Sequence, residues 1–158
     1  METVSFLITG GVLAPQIKIS VSATILDLKE TIQNVISILV SRQTLSLNGN
    51  FLRNDQVIRD INLGAQLPVP LVLRVEPLPG NPKFIIFVKY CVGDFISVWI
   101  RETSSVLELK MEIEKLHGVS AQNITLHHFS HEMSDDYALS EYYIHPGCQI
   151  QMTVSMDN

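Results

Sequence analysis

The chain has 158 residues, room for one ordinary domain or two small ones, and its 46% hydrophobic and 17% charged content is that of a globular protein. Residues 1–82 carry six basic and six acidic groups while residues 83–158 carry five basic and ten acidic ones, so the whole net charge of −5 sits in the second half. That balance argues against nucleic-acid binding, no apolar run approaches the roughly 20 residues of a membrane-spanning helix, and two cysteines make neither a disulfide framework nor a CxxC metal site. Without a cationic start to suggest a secretory signal, a cytosolic or nuclear protein with no cofactor is expected.

The first predicted elements are strands at residues 4–9 and 16–21, around a turn-like segment holding Gly10, Gly11 and Pro15. In the first strand either Val4, Phe6 and Ile8 or Ser5 and Leu7 point inward. A helix follows in TILDLKETIQNV: Thr24 and Asp27 have capping-box spacing, and Ile25, Leu28 and Ile32 make one apolar stripe. Short strands are predicted at 43–47 and 71–75. The segment 76–82, with Pro77, Pro79, Gly80 and Pro82, reads as a stiff linker.

The second half repeats the order. Strands at 84–89 and 95–100 flank Gly93; SSVLELKMEIEKLHG is a helix with Ser105 and Glu108 as a full capping box, stopped by Gly118; strands at 125–129 and 149–154 close the unit. Sliding one half over the other by 81 residues pairs Ile19 with Ile100, Leu28 with Leu109, Lys29 with Lys110, Ile32 with Ile113, Thr44–Leu45 with Thr125–Leu126 and Asp55 with Asp136, with no gap expected. The domains are therefore drawn as 1–76 and 83–158, with 77–82 between them.

This order resembles the β-grasp fold of ubiquitin. IFVK at 86–89, Gly93, Val106, Leu109, Lys110, Ile113, Gly118, Leu126, Leu139, Ser140, Tyr142 and Ile144 carry the likeness in the second half; Ile25, Leu28, Lys29, Ile32, Leu45, Gly49, Asp60 and LVLR at 71–74 carry it in the first. Pro68 and Pro70 depart from the pattern. The resemblance implies an α+β chain of two tandem ubiquitin-like domains. LVLR is similar to a ubiquitin tail, but Pro77 and Leu78 stand where its two glycines would be, and the second half ends MTVSMDN. As written, neither half is expected to be conjugated to other proteins.

The resemblance also locates the apolar patch by which ubiquitin meets its partners. Those positions fall on Cys91, His127, Gln151 and Thr153 in the second half and on Gly10, Ser46, Pro70 and Val72 in the first, without the large central aliphatic group. A different face is the candidate site. Period-two alternation turns Ile96, Val98 and Ile100 inward, and Ile86 and Val88 with them, leaving Ile85, Phe87, Phe95 and Trp99 on one outer surface. That surface either meets a partner or is covered by the first domain. His127, His128 and His131 suggest zinc, but adjacent strand residues point to opposite faces and no Cys or acidic ligand completes a set, so solvated histidines are expected. Cys91 and Cys148 are placed too far apart for a disulfide, and Cys91 lacks a His–Asp setting for nucleophilic work.

No constellation for catalysis is visible. The expectation is a non-enzymatic, monomeric tandem ubiquitin-like scaffold that binds protein partners, with no nucleic-acid or membrane partner. The alternatives left open are a two-domain modifier whose terminal Gly-Gly is absent from this sequence and the N-terminal segment of a larger protein.

Overall fold

Thr24 begins a helix because its hydroxyl and the carboxylate of Asp27 close on each other's backbone: Thr24 Oγ1 accepts from the Asp27 N–H at 3.1 Å, and Asp27 Oδ2 accepts from the Thr24 N–H at 3.0 Å. The helix, α1, lies within unit 1 of a computed structural model that describes residues 2–90 and 94–155 and divides into unit 1, Met1–Pro77, and unit 2, Leu78–Asn158. Unit 1 runs β1 (Thr3–Thr9), β2 (Gln16–Ser20), α1 (Ile25–Ile36), β3 (Gln43–Leu47), β4 (Asn50–Phe51) and β5 (Val69–Val75). Unit 2 runs β6 (Lys83–Tyr90), β7 (Asp94–Arg101), α2 (Val106–His117), β8 (Ile124–His128), β9 (His131–Glu132) and β10 (Gln149–Val154).

Each unit is one mixed sheet with a helix across one face. The orders are β2-β1-β5-β3-β4 and β7-β6-β10-β8-β9, and the central pairs, β1 with β5 and β6 with β10, are parallel. These are two β-grasp domains, as the resemblance implied. The helices bury matching stripes: Ile25, Leu28, Ile32 and Ile36 in α1, and Val106, Leu109 and Ile113 in α2. At roughly 1.5–3 kcal/mol per buried aliphatic side chain, such a stripe is what holds helix to sheet. Phe6 and Ile8 are buried at 1% and 0%, so Val4, Phe6 and Ile8 form the inward set of β1. Gly118 ends α2 in the left-handed conformation with φ of 72°.

Two expectations are corrected. The capping box of α2 has only its forward half: Ser105 Oγ accepts from the Glu108 N–H at 3.0 Å, and among the described residues Glu108 returns no bond. The gapless offset of 81 holds from β2 to β4 and fails on either side. Ile19 pairs with Val4, and its counterpart Ile100 pairs with Phe84, a separation of 80 along the first strands. Leu45 pairs with Leu73, and its counterpart Leu126 pairs with Met152, a separation of 79 along the last. Period-two side chains make an odd slip visible, since an offset of 81 would equate the buried Phe6 with the outward Phe87. Unit 1 spends two extra residues on its approach to β5, where Pro68 and Pro70 lie. Pro70 precedes Val72, the last β5 partner of β3, so its missing N–H removes no bond from that ladder.

The proline segment also gains a place. Leu78 donates its N–H to Glu102 Oε1 at 2.8 Å, Asn81 Nδ2 donates to Thr103 Oγ1 at 3.0 Å, and Arg101 Nε donates to the Asn81 carbonyl at 3.2 Å. Residues 78–81 are thus tied to unit 2.

Candidate functional site

β6 and β7 make a ribbon of eight facing pairs, from Lys83 opposite Arg101 to Tyr90 opposite Asp94. Phe84, Ile86, Val88, Ile96, Val98 and Ile100 turn to the core. The alternate residues form the outer face, where Ile85 stands opposite Trp99, Phe87 opposite Ser97 and Lys89 opposite Phe95. Trp99 is 60% and Phe95 51% exposed, while Ile85 and Phe87 are half-buried. The structure therefore brings the four predicted apolar residues together on one surface. The Lys89 ammonium lies 5.9 Å from the Phe95 ring centroid, in cation–π range. β7 is an edge strand, and between it and α2 runs a groove of about 290 Å³ lined by Lys83, Trp99, Arg101, Met111, Glu112 and Lys115 among others.

Charge completes this face in a way the apolar pattern did not announce. Lys83, Lys89 and Arg101 share the outward parity of the aromatic residues, and the same alternation applied to charges would have found them. Among the described residues these three have no ion-pair partner. Lys110 instead reaches Asp135 at 2.6 Å, and Lys115 reaches Glu112 at 3.8 Å. The outward positions of β7, β6, β10 and β8 hold no carboxylate at all; the nearest on the sheet face is Glu132 in β9, opposite His127.

Unit 1 carries the same ribbon with different chemistry. There Thr3 faces Ser20, Ser5 faces Lys18 and Leu7 faces Gln16. The fold accepts Ser5 and Lys18 where unit 2 has Ile85 and Trp99, while Leu7 matches Phe87 as an apolar residue.

The remaining predicted positions fall as follows. His127 faces Gln151, and Thr125 faces Thr153, on the outer side of β8 and β10. In unit 1 Ser46 faces Val72 and Thr44 faces Arg74, so Val72 and Arg74 occupy the places of Gln151 and Thr153. Pro70 is displaced from that set by the two-residue slip. Gly10 (φ 121°) cannot carry a side chain, because a Cβ there would collide with the Leu73 carbonyl oxygen. Cys91 lies outside the described residues.

His128 is not solvated, contrary to expectation. Leu126 points inward, so His128 does too; it is 7% exposed, and its Nε2 has no partner among the described residues. Burial, and then the like charge of His145, lower its pKa to about 4. His127 is half-buried and His131 exposed, and no cluster of three metal-ligand side chains occurs among the described residues. Burial raises the Cys148 thiol above its usual range, which keeps it protonated and inert. No helix among the described residues is long and apolar enough to cross a membrane.

Comparison with known families adds one finding. The model of the ubiquitin family matches this chain twice, over residues 15–76 and over residues 86–157. The first match begins beyond β1.

Proposed function

The chain belongs to the ubiquitin family, and from that premise we propose that it is a non-catalytic scaffold whose second unit docks a protein partner on the outer face of the β6–β7 ribbon. One observation carries the proposal: at matching places of the two units Ser5 and Lys18 stand where Ile85 and Trp99 do, and Leu7 gives way to the larger Phe87. Exposed apolar area that the fold does not require costs solubility and is kept where a partner covers it. Aromatic anchors of this type supply most of the energy in protein interfaces. The positions through which ubiquitin meets its partners support the same reading, since among Ser46, Val72 and Arg74 in unit 1 and His127, Gln151 and Thr153 in unit 2 Val72 is the one exposed aliphatic side chain.

The reading includes that unit 1 is not a conjugation tail at Arg74. Supporting it, β5 continues through Val75, and the Glu76 N–H donates to the Arg42 carbonyl at 2.8 Å, where conjugation needs a free, bare backbone.

Cross-linking and affinity capture from cell extract with the full chain test this. A Phe95→Ser/Trp99→Ser variant is compared with a Leu7→Ser/Lys18→Ser variant, both checked for folding by amide spectra. The expected result is a partner set lost with the first and kept with the second. A set indifferent to Phe95 and Trp99 rejects the ribbon as the docking face.

A further inference from the structure

Resting on that reading, we propose that the ligand class of the unit 2 ribbon is an extended acidic peptide: a segment with apolar residues at alternate positions and carboxylates at both ends. The length and polarity follow from the ribbon. Lys83 with Arg101 marks one end of the outer face, Lys89 with Phe95 opposite it marks the other, and the apolar residues Ile85, Trp99 and Phe87 lie between. Six residues of strand separate Lys83 from Lys89, about 20 Å at 3.3 Å per residue. A peptide lying along the strands thus reaches both cationic ends when its own acidic groups are about six residues apart, with every second side chain turned to the aromatic floor.

The charge distribution selects carboxylates. Residues 83–158 hold ten acidic and five basic groups, yet three of the five basic ones, Lys83, Lys89 and Arg101, gather on this face. The other two, Lys110 and Lys115, are already paired with Asp135 and Glu112. Glu108 and Glu112 line the groove beyond the β7 edge, and Asp94 stands opposite Tyr90 at the ribbon's end, so the cationic field is confined to the sheet face. A short peptide on that face, within a Debye length of about 8 Å at physiological salt, meets mainly the three cations. An anionic membrane would meet the whole unit, whose excess of carboxylates repels it.

The test uses the full chain and synthetic nine-residue peptides with a fixed alternating Leu/Ser centre and Asp, Lys or Ser pairs at both ends. Trp99 is the single tryptophan of the chain, so its fluorescence reads occupancy directly. The Asp-flanked peptide is expected to bind at least tenfold more tightly than the Lys-flanked one in 50 mM salt, with the gap narrowing in 500 mM salt. A Lys83→Glu/Lys89→Glu variant is expected to reverse the order. Equal binding of all three peptides overturns the acidic class while leaving the ribbon as a docking face. No peptide binding, with capture from extract still dependent on Phe95 and Trp99, also overturns this inference and spares the earlier one. A Trp99 shift seen only with phosphatidylserine vesicles, or only as the chain self-associates in sedimentation, overturns it in favour of a lipid surface or a second copy.

Discussion

Phe129 and Ser130 form the turn between β8 and β9 with φ of 52° and 62°, where unit 1 uses Asn48 and Gly49. A two-residue hairpin of this hand needs left-handed backbone at both positions, which Asn and Gly adopt cheaply and Phe does not. The Phe129 ring lies 4.4 Å from that of His128 and recovers part of the cost. Replacing the pair by Asn-Gly is expected to stabilise unit 2 by about 1 kcal/mol, the lower end of the left-handed penalty. Urea unfolding followed by Trp99 fluorescence measures it, and an unchanged or lower midpoint contradicts it. His128 makes a second case. Its folded pKa of about 4 lies below the unfolded 6.5, so the fold holds it neutral. The stability tied to it is fully present above pH 6.5 and is lost as pH falls from there toward 4. Between pH 7 and 5 unit 2 should lose roughly 1–2 kcal/mol by this route. In His128→Leu, which installs the type found at Leu47 in unit 1, that pH dependence should flatten; a slope as steep as before removes His128 as its source.

At the scale of elements, the helices were the most legible part of the sequence. Ile25 and Val106 begin them where the spacing of cap and stripe said they would, because both signals are local. Strand parity was less so. The slips of one and two residues lie in loops, whose lengths carry no periodic mark, so the expected patch positions Pro70 and Val72 give way to Val72 and Arg74 in the structure. The ribbon is readable because alternation alone fixes its faces; the same rule turns His128 inward with Leu126, although three histidines close in sequence read as a solvated surface strand. The caps invite a direct comparison. Both Asp27 and Glu108 lie in a first turn and gain alike from the helix dipole, but only Asp27 returns a bond. Asp27→Ala should therefore cost unit 1 about 0.5–1 kcal/mol more than Glu108→Ala costs unit 2. Amide exchange in α1 and α2 reads the two separately, and equal losses would show that the returned bond adds nothing.

For the whole molecule, the boundary between Pro77 and Leu78 sets what a stable unit 2 must contain. A fragment spanning Leu78–Asn158 keeps the bonds from Leu78 to Glu102 and from Asn81 to Thr103; one spanning residues 83–158 loses both and leaves a buried carboxylate without that donor. The shorter fragment should unfold at lower urea by about 1.5–3 kcal/mol of stability, the usual worth of a hydrogen bond to a charged group. Identical midpoints would show the segment to be dispensable. The paired ribbons have a practical corollary. Unit 1 carries Ser5, Leu7 and Lys18 at the matching places, so on the proposed docking role a transplant of Ile, Phe and Trp there is expected to create a second docking face. The donor residues must be counted back by 80 on the first strand and 81 on the second, or the graft turns inside out.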